Sequence, residues 1–579
     1  MKKRIIIIDF MKTLALIGVL LFHTGALDNG YLGVEIFFVI SGYLFAKKNR
    51  TAFSDGTFQP IKFLMKKVSD FWPLLLAAGL LCLAVGYISM LPDDYENLAE
   101  SVVAASLFAN NVLLAITTKN YWAVGNTYKP LMHTWYIGVL LQMYVFLAFI
   151  LWGVRKVCKK DRSAAVFSVV GAFSLLLYLL PVFSTAQKFF FFPFRLFELC
   201  AGCMTAYLPS VGAHKNGEKK AASFVGWLSS AALCAVLFCQ LSIPTAVGVI
   251  FTVAAACAVL CSRIDITEST RLGAWCCRVL SVPGRYSYDA YIWHQVIIAF
   301  AYYFFFQKLS FGLAATVILL TALLSALSVF IRSKETTFRR QKPRLVLCAA
   351  AAVLLCAASL LIYSRAGVVR DVPELGISVG DVHRNMHGEY NESVAALDRD
   401  FEDENKIHVF LMGDSFAKDF TNVIRESAIA DRVELSYFYG TDASVRMSRI
   451  SQADVIIYAT NTWEVSAWAT DNIDPDKLYV VGRKMYGNSN GIIYRHRNSA
   501  RYFEQRVELS EDFIANNDRL REIYGDHYID MIGPLMVGNE IAVFTDDHFY
   551  ISQDCKHLTQ SGAKYYARIL DLSFITNGQ

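Results

Sequence analysis

The sequence predicts a polytopic α-helical membrane domain of about 11 transmembrane helices, followed by an extracytoplasmic three-layer α/β domain. Three observations predict it. The chain is 55% hydrophobic and only 18% charged over 579 residues, far too apolar for a water-soluble enzyme of this length. Its charge is divided between two solvents. Residues 1–370 carry 35 Lys+Arg against 16 Asp+Glu, a balance of +19, and residues 371–579 carry 20 against 34, a balance of −14. The hydrophobic pattern also changes near residue 407, from long apolar runs to short β-rich runs alternating with helical ones. Domain limits follow at 1–340 for the membrane domain, 341–400 for a final transmembrane helix and linker, and 401–579 for the α/β domain.

Apolar runs long enough to span lie near 5–24, 31–46, 72–91, 133–154, 164–184, 190–208, 222–241, 244–262, 288–307, 311–332 and 344–363. Met1-Lys-Lys-Arg before the first run imitates a signal peptide. No small-residue cleavage site follows and a second span comes at once, which predicts a retained helix. Basic clusters at Lys2–Arg4, Lys47–Arg50, Arg155–Arg162, Lys215–Lys220 and Arg332–Arg344 belong on the cytoplasmic side. Alternation satisfies all five only if the run 101–116 does not cross. The N-terminus is then cytoplasmic and the C-terminal domain outside. Twelve of the 13 cysteines precede residue 357 and only Cys555 lies beyond, so no disulfide can form within the outer domain.

The first hairpin departs from a plain membrane hairpin by carrying Asp9, Lys12, His23 and Glu35. Each ionisable group in a bilayer costs a few kcal/mol. Snorkelling accounts for Asp9 and can account for Lys12, but His23 and Glu35 point to a site. Arg195 and Glu198 stand one helical turn apart, the spacing of a mutual ion pair or of a paired arginine facing a pathway. His133 with Trp135, and His294 beside Trp293, fit packing or an aromatic belt as well as they fit chemistry.

After Tyr363 the chain turns polar. Asp381, His383 and His387 have no further close ligand and are read as loop residues, so no metal site is expected. Strands are predicted at Ile407 to Met412, Val433 to Phe438, Asp454 to Tyr458 and Leu478 to Val481, with helices after Ser415 and near 511–524 and 561–572. In such parallel sheets ligands bind at the carboxyl ends of the strands. Ser415 stands there, at a helix N-terminus whose free N–H groups favour an oxyanion. Asp554-Cys-Lys-His557 sets a carboxylate three residues before an imidazole, so Asp554 can hold the tautomer while His557 faces a serine. Gly440 and Asn461, after the second and third strands, stand where a backbone N–H and an amide could complete an oxyanion hole; Gly487 or a plain turn glycine is the alternative to Gly440, and a turn residue capping a helix at Trp463 is the alternative reading of Asn461.

Two family resemblances rest on these residues. Asp9-Phe-Met-Lys12 to His23, Gly30-Tyr-Leu-Gly-Val-Glu35, Lys129-Pro-Leu-Met-His133-Thr-Trp135, Arg195-Leu-Phe-Glu198 and Gly284 to His294 occur in the order found in the integral-membrane acyltransferase-3 family, glycan O-acetyltransferases among them. Gly-Asp-Ser415, Gly440, Asn461 and Asp554-x-x-His557 resemble the SGNH hydrolases. Two departures stand out. Lys12 replaces the family's arginine, keeping the charge but not the bidentate grip. Leu140-Leu141-Gln142 stands where Glu-Glu-Gln is usual.

The resemblance implies an enzyme that carries an acyl group, acetyl first, from cytoplasmic acyl-CoA to a hydroxyl of a cell-surface or cell-wall glycan. No bound cofactor and no nucleic-acid partner are implied. Lys12 would meet phosphates or a developing oxyanion. His23, about 16 Å along the same helix, would abstract the acceptor proton or briefly carry the acyl group. Glu35, Arg195, Glu198, His133 and His294 would support it. Ser415 would accept the acyl group as an ester. The competing reading is a membrane-anchored esterase that removes glycan acyl groups through the outer serine.

Overall fold

A computed structural model describes residues 6–117, 127–208, 216–262, 279–305, 311–334, 341–381, 386–466, 471–488, 490–552 and 554–576. The chain divides into two compact units, Met1–Ile88 with Asn97–Leu361, and Ser89–Glu96 with Ile362–Gln579.

In the first unit a helix lies on each of the eleven expected runs. Among the described residues, seven helices are long and apolar enough to cross a membrane. Others fall short for local reasons. The expected span 190–208 is a helix only over Phe192–Thr205, because Pro193 sits at its start and Phe191 is extended. Its 14 residues rise about 21 Å, against an apolar core of about 30 Å. The expected span 72–91 is instead the C-terminal part of a 30-residue helix, Pro60–Ser89, whose polar first turns carry Lys66, Lys67 and Asp70. The run 101–116 is broken into Pro92–Ser106 and Asn110–Thr117, with Phe108 left-handed at φ 56° between them. Neither piece is long enough to cross.

The helices Gly33–Asp55 and Phe192–Thr205 meet at their backbones. A Cβ on Gly42 would lie 1.9 Å from the Leu199 carbonyl oxygen, and one on Gly202 would lie 1.9 Å from that of Val39. Small residues permit this approach where apolar burial alone does not drive helices together. It is also what brings Glu35 within reach of Arg195.

The second unit is built on a five-stranded parallel sheet, ordered β2-β1-β3-β4-β6. Its strands are β1 Ile407–Gly413, β2 Val433–Phe438, β3 Val455–Ala459, β4 Leu478–Val481 and β6 Tyr528–Ile529. The β2 and β3 residues are buried throughout, as a sheet covered on both faces requires. Phe410, Met412, Phe438, Ile456, Tyr458 and Val480 share one core cluster with Ile450 of the Ala443–Gln452 helix. That helix, and the small antiparallel sheet of β5 Arg506–Glu508, β7 Met536–Val537 and β8 Glu540–Ala542, were not expected from the sequence. Their strands are too short to show a period. The Ser415–Arg425, Glu511–Tyr524 and Gln560–Ile569 helices lie where the sequence predicts helices. Register pairs Met412 with both Phe438 and Tyr458. The ends of β2, β1 and β3 therefore come level, and Gly440, Ser415 and Asn461 follow them on one edge. His383 lies outside the described residues.

Candidate active sites

The site in the second unit begins with the turn after β1. Gly413 has φ +134°, and a Cβ there would sit 1.8 Å from the Ala459 carbonyl oxygen, so only glycine lets β1 and β3 close. Asp414 then caps the next helix, its Oδ1 accepting from Phe416 N at 2.9 Å. This leaves Ser415 as the first helical residue. Ser415 Oγ lies 2.7 Å from His557 Nε2, and His557 Nδ1 lies 2.5 Å from Asp554 Oδ2. Asp554 Oδ1 accepts the backbone N–H groups of Lys556 and His557, at 3.0 and 2.7 Å.

The charges are consistent with that chain of bonds. The Asp554 hydrogen bond raises the His557 imidazole above its ordinary value, against burial that lowers it. Burial alone would raise the Asp554 carboxyl. The bonds from His557 and the two backbone N–H groups outweigh it and hold the group well below the usual carboxylate range. Asp554 thus stays ionised and orients a histidine whose other nitrogen faces the serine, the arrangement that activates a hydroxyl.

Asn461 N donates to Asp414 Oδ2 at 2.8 Å, and its Oδ1 accepts from Arg483 Nη2 at 2.9 Å. Gly440 stands half-buried after β2. Beneath the serine, Asp419 and Lys484 form an ion pair at 2.8 Å, with both side chains at most 2% exposed. Sequence reasoning missed this pair and Arg483, since neither belongs to a local pattern.

In the membrane unit three predicted histidines converge. The His294 ring centroid lies 5.3 Å from that of His23 and 5.4 Å from that of His133. His294 Nδ1 lies 2.6 Å from the Tyr291 carbonyl oxygen, so that nitrogen carries the proton and Nε2 is the basic one. His294 Nε2 is buried and makes no hydrogen bond of good geometry among the described residues, and neither nitrogen of His133 does. Tyr291 joins this cluster to the backbone, its hydroxyl donating to the His133 carbonyl at 2.8 Å.

Glu35, Arg195 and Glu198 form a second cluster. Arg195 Nη2 lies 2.6 Å from Glu35 Oε2, and Nε lies 2.8 Å from Glu198 Oε1. The guanidinium stands over Phe38, Trp135 and Phe189, at 5.5 to 5.7 Å. The i,i+3 pairing anticipated from spacing is present, and it extends to a second carboxylate 160 residues away. Two carboxylates on one buried guanidinium make this an electrostatic anchor between helices.

Lys12 lies elsewhere. It lines a cavity of about 200 Å³ with Lys67, Leu140, Tyr144, Tyr288 and Tyr291. Lys67 precedes the expected run 72–91 in the sequence, and its Nζ stands 4.5 Å over the Tyr144 ring. Leu140 occupies this wall where the family usually has a carboxylate. Gln142, two residues on, makes a reciprocal amide pair with Asn111, at 2.9 and 3.1 Å.

A serine hydrogen-bonded to a carboxylate-held histidine and buried imidazoles are both groups able to move acyl units. The class these sites define is an acyl-transferring membrane enzyme. Residues 5–332 match the acyltransferase-3 domain family, described as an acyltransferase domain, and the chain belongs to that family. It is an acyltransferase and a multi-pass membrane protein. It is similar to the putative membrane-bound transacylase BcsY of Komagataeibacter xylinus, 27% identical over 331 residues, 55% of this chain and 80% of that one. It is also similar to the O-acetyltransferase OatA of Staphylococcus aureus, 24% identical over 351 residues. A putative O-acetyltransferase of S. aureus strain COL is 25% identical over 353 residues. The match to these two covers 58% of this chain and 57% of each staphylococcal protein. No solved structure matches.

Proposed function

We propose that this chain O-acylates a cell-surface or cell-wall glycan, taking the acyl group, acetyl first, from cytoplasmic acyl-CoA. The membrane unit opens the thioester, the acyl C–S bond breaking and the CoA thiol leaving with a proton on the cytoplasmic side, with His23 as base or acyl carrier and His133, His294, Glu35, Arg195 and Glu198 as its support. Lys12 and Lys67, in one cavity, suit the phosphates of the donor. The outer unit, an SGNH-type domain, receives the acyl group on Ser415. An acceptor sugar hydroxyl then attacks that ester carbonyl, the sugar oxygen bonds to the acyl carbon, and Ser415 Oγ leaves with the proton held by His557. The N-terminus is cytoplasmic and the 401–579 domain extracytoplasmic in this scheme, in the cytoplasmic membrane.

The observation that carries the reading is the Ser415–His557–Asp554 chain of hydrogen bonds in the same polypeptide as the acyltransferase-3 domain. Acyl-CoA is confined to the cytoplasm and the glycan to the outside, so a relay needs a site in each solvent. Mass spectrometry of surface glycans from wild-type and deletion strains tests it. Loss of O-acyl esters on deletion, and in the His23→Ala and Ser415→Ala strains, is expected. A gain of esters would make the protein an esterase, and unchanged esters with Ser415→Ala would remove the outer serine from the pathway. A C-terminal alkaline phosphatase fusion should be active and a green fluorescent fusion dark.

A further inference from the structure

We propose that Arg483 is a positioning residue of the outer site, holding the Asn461 side chain so that its NH2 faces the oxyanion formed at Ser415. The inference rests on the serine-triad reading above. An arginine has donors and no acceptor. Its Nη2, 2.9 Å from Asn461 Oδ1, therefore fixes which end of the amide is oxygen, and the NH2 must point the other way. The backbone of Asn461 is held separately. Its N–H and the Thr460 hydroxyl both donate to Asp414 Oδ2, at 2.8 and 3.2 Å. The other oxygen of the same carboxylate caps the Ser415 helix. Nucleophile and amide thus hang from one side chain, and only the rotation of the amide is left to be set.

Arg483 is well placed to set it. It follows β4 by two residues, on the edge that carries Ser415 and Asn461. Its guanidinium stacks 4.1 Å over Trp463 and 5.7 Å from Phe513, which keeps water from one of its faces. Its backbone N–H donates to Asn517 Oδ1 at 2.9 Å, an oxygen that also takes the Tyr528 hydroxyl at 3.0 Å, and Asn517 is fully buried. When Ser415 Oγ adds to an ester carbonyl, its proton moves to His557 Nε2 and the carbonyl electrons move to oxygen. An amide NH2 already aimed at that oxygen reorganises least.

The test is hydrolysis of p-nitrophenyl acetate by the full-length protein in detergent, with the Ser415→Ala rate subtracted. Asn461→Ala removes the donor and should lower kcat by about 10²- to 10³-fold. Arg483→Met keeps the apolar stack and loses the donor. It should lower kcat about tenfold or more, leave KM within about twofold, and leave the pH profile unmoved, since His557 and Asp554 are untouched. Arg483→Lys, which keeps a donor but not the fork, should recover part of the loss. The double variant Asn461→Ala/Arg483→Met should be no slower than Asn461→Ala alone. Losses that multiply in the double variant, or an unchanged kcat in Arg483→Met, would overturn the inference. Hydrolysis surviving in Ser415→Ala would instead overturn the triad reading beneath it.

Discussion

Asp554→Asn asks whether the tautomer of His557 governs Ser415. In the native site Asp554 Oδ1 holds two backbone N–H donors and Oδ2 holds the imidazole Nδ1. Asparagine has the same shape but a single acceptor oxygen. The two backbone donors claim that oxygen, so the NH2 end turns toward Nδ1. The ring must then keep its proton on Nε2 and present it to Ser415 Oγ as a donor. The base is disabled rather than weakened. In serine proteases the same wrong-tautomer change lowers kcat about 10⁴-fold. At about 1.36 kcal/mol per factor of ten, that is roughly 5.4 kcal/mol of barrier. The assay is p-nitrophenyl acetate hydrolysis by the full-length protein across pH. The neutral imidazole is the active form and its folded pKa is raised by Asp554. The wild-type acid limb should therefore fall with a midpoint above about 6.5, the ordinary imidazole value. The residual activity of Asp554→Asn should fall at lower pH. A variant within tenfold of wild type, with its acid limb unmoved, would refute the reasoning.

Three further outcomes are expected. Lys484→Met deprives the buried Asp419 of its lysine and should destabilise the second unit by about 3–5 kcal/mol, read as faster thermal loss of ester hydrolysis; adding Asp419→Leu should restore most of it, and an unchanged half-life in the single variant would make the pair energetically idle. Gly413→Ala should abolish hydrolysis and open the second unit to limited proteolysis, because the new Cβ meets the Ala459 carbonyl; a protease-resistant, active variant would contradict the β1–β3 geometry. Lys12→Arg should keep or raise glycan acylation in cells while Lys12→Ala loses it, since the cation lines the cavity with Lys67; an active Lys12→Ala would reduce this residue to packing.

The Ser415–His557–Asp554 chain was legible because each member sits in a local signal. Ser415 follows a strand and opens a helix, and Asp554 and His557 are three residues apart. Arg483 was not legible. It is one of 55 basic residues, and what distinguishes it is the amide it faces across two strand ends. Lys67 was hidden for another reason. Read with Lys66 and Asp70 it resembles a polar flank, but the helix starts at Pro60 and carries it back over Tyr144. The expected span 190–208 is longer than the Phe192–Thr205 helix, because apolar composition continues through Phe191 and Pro193 while the helical backbone does not.

The sequence by itself determined the division into an apolar and a polar unit and most of the elements. Runs of about 20 apolar residues cannot be satisfied in water, and alternating short strands and helices over 401–579 form a parallel sheet, since hydrogen-bond closure and burial are local demands on each segment. Which groups share a site was decided only by tertiary structure. Glu35 meets Arg195 because Gly42 and Gly202 let two backbones touch, and His23, His133 and His294 meet because three separate segments bring them there. Spacing along the chain carries the period of a helix or strand, but distances between helices depend on the packing of every residue between them, and no single stretch encodes that.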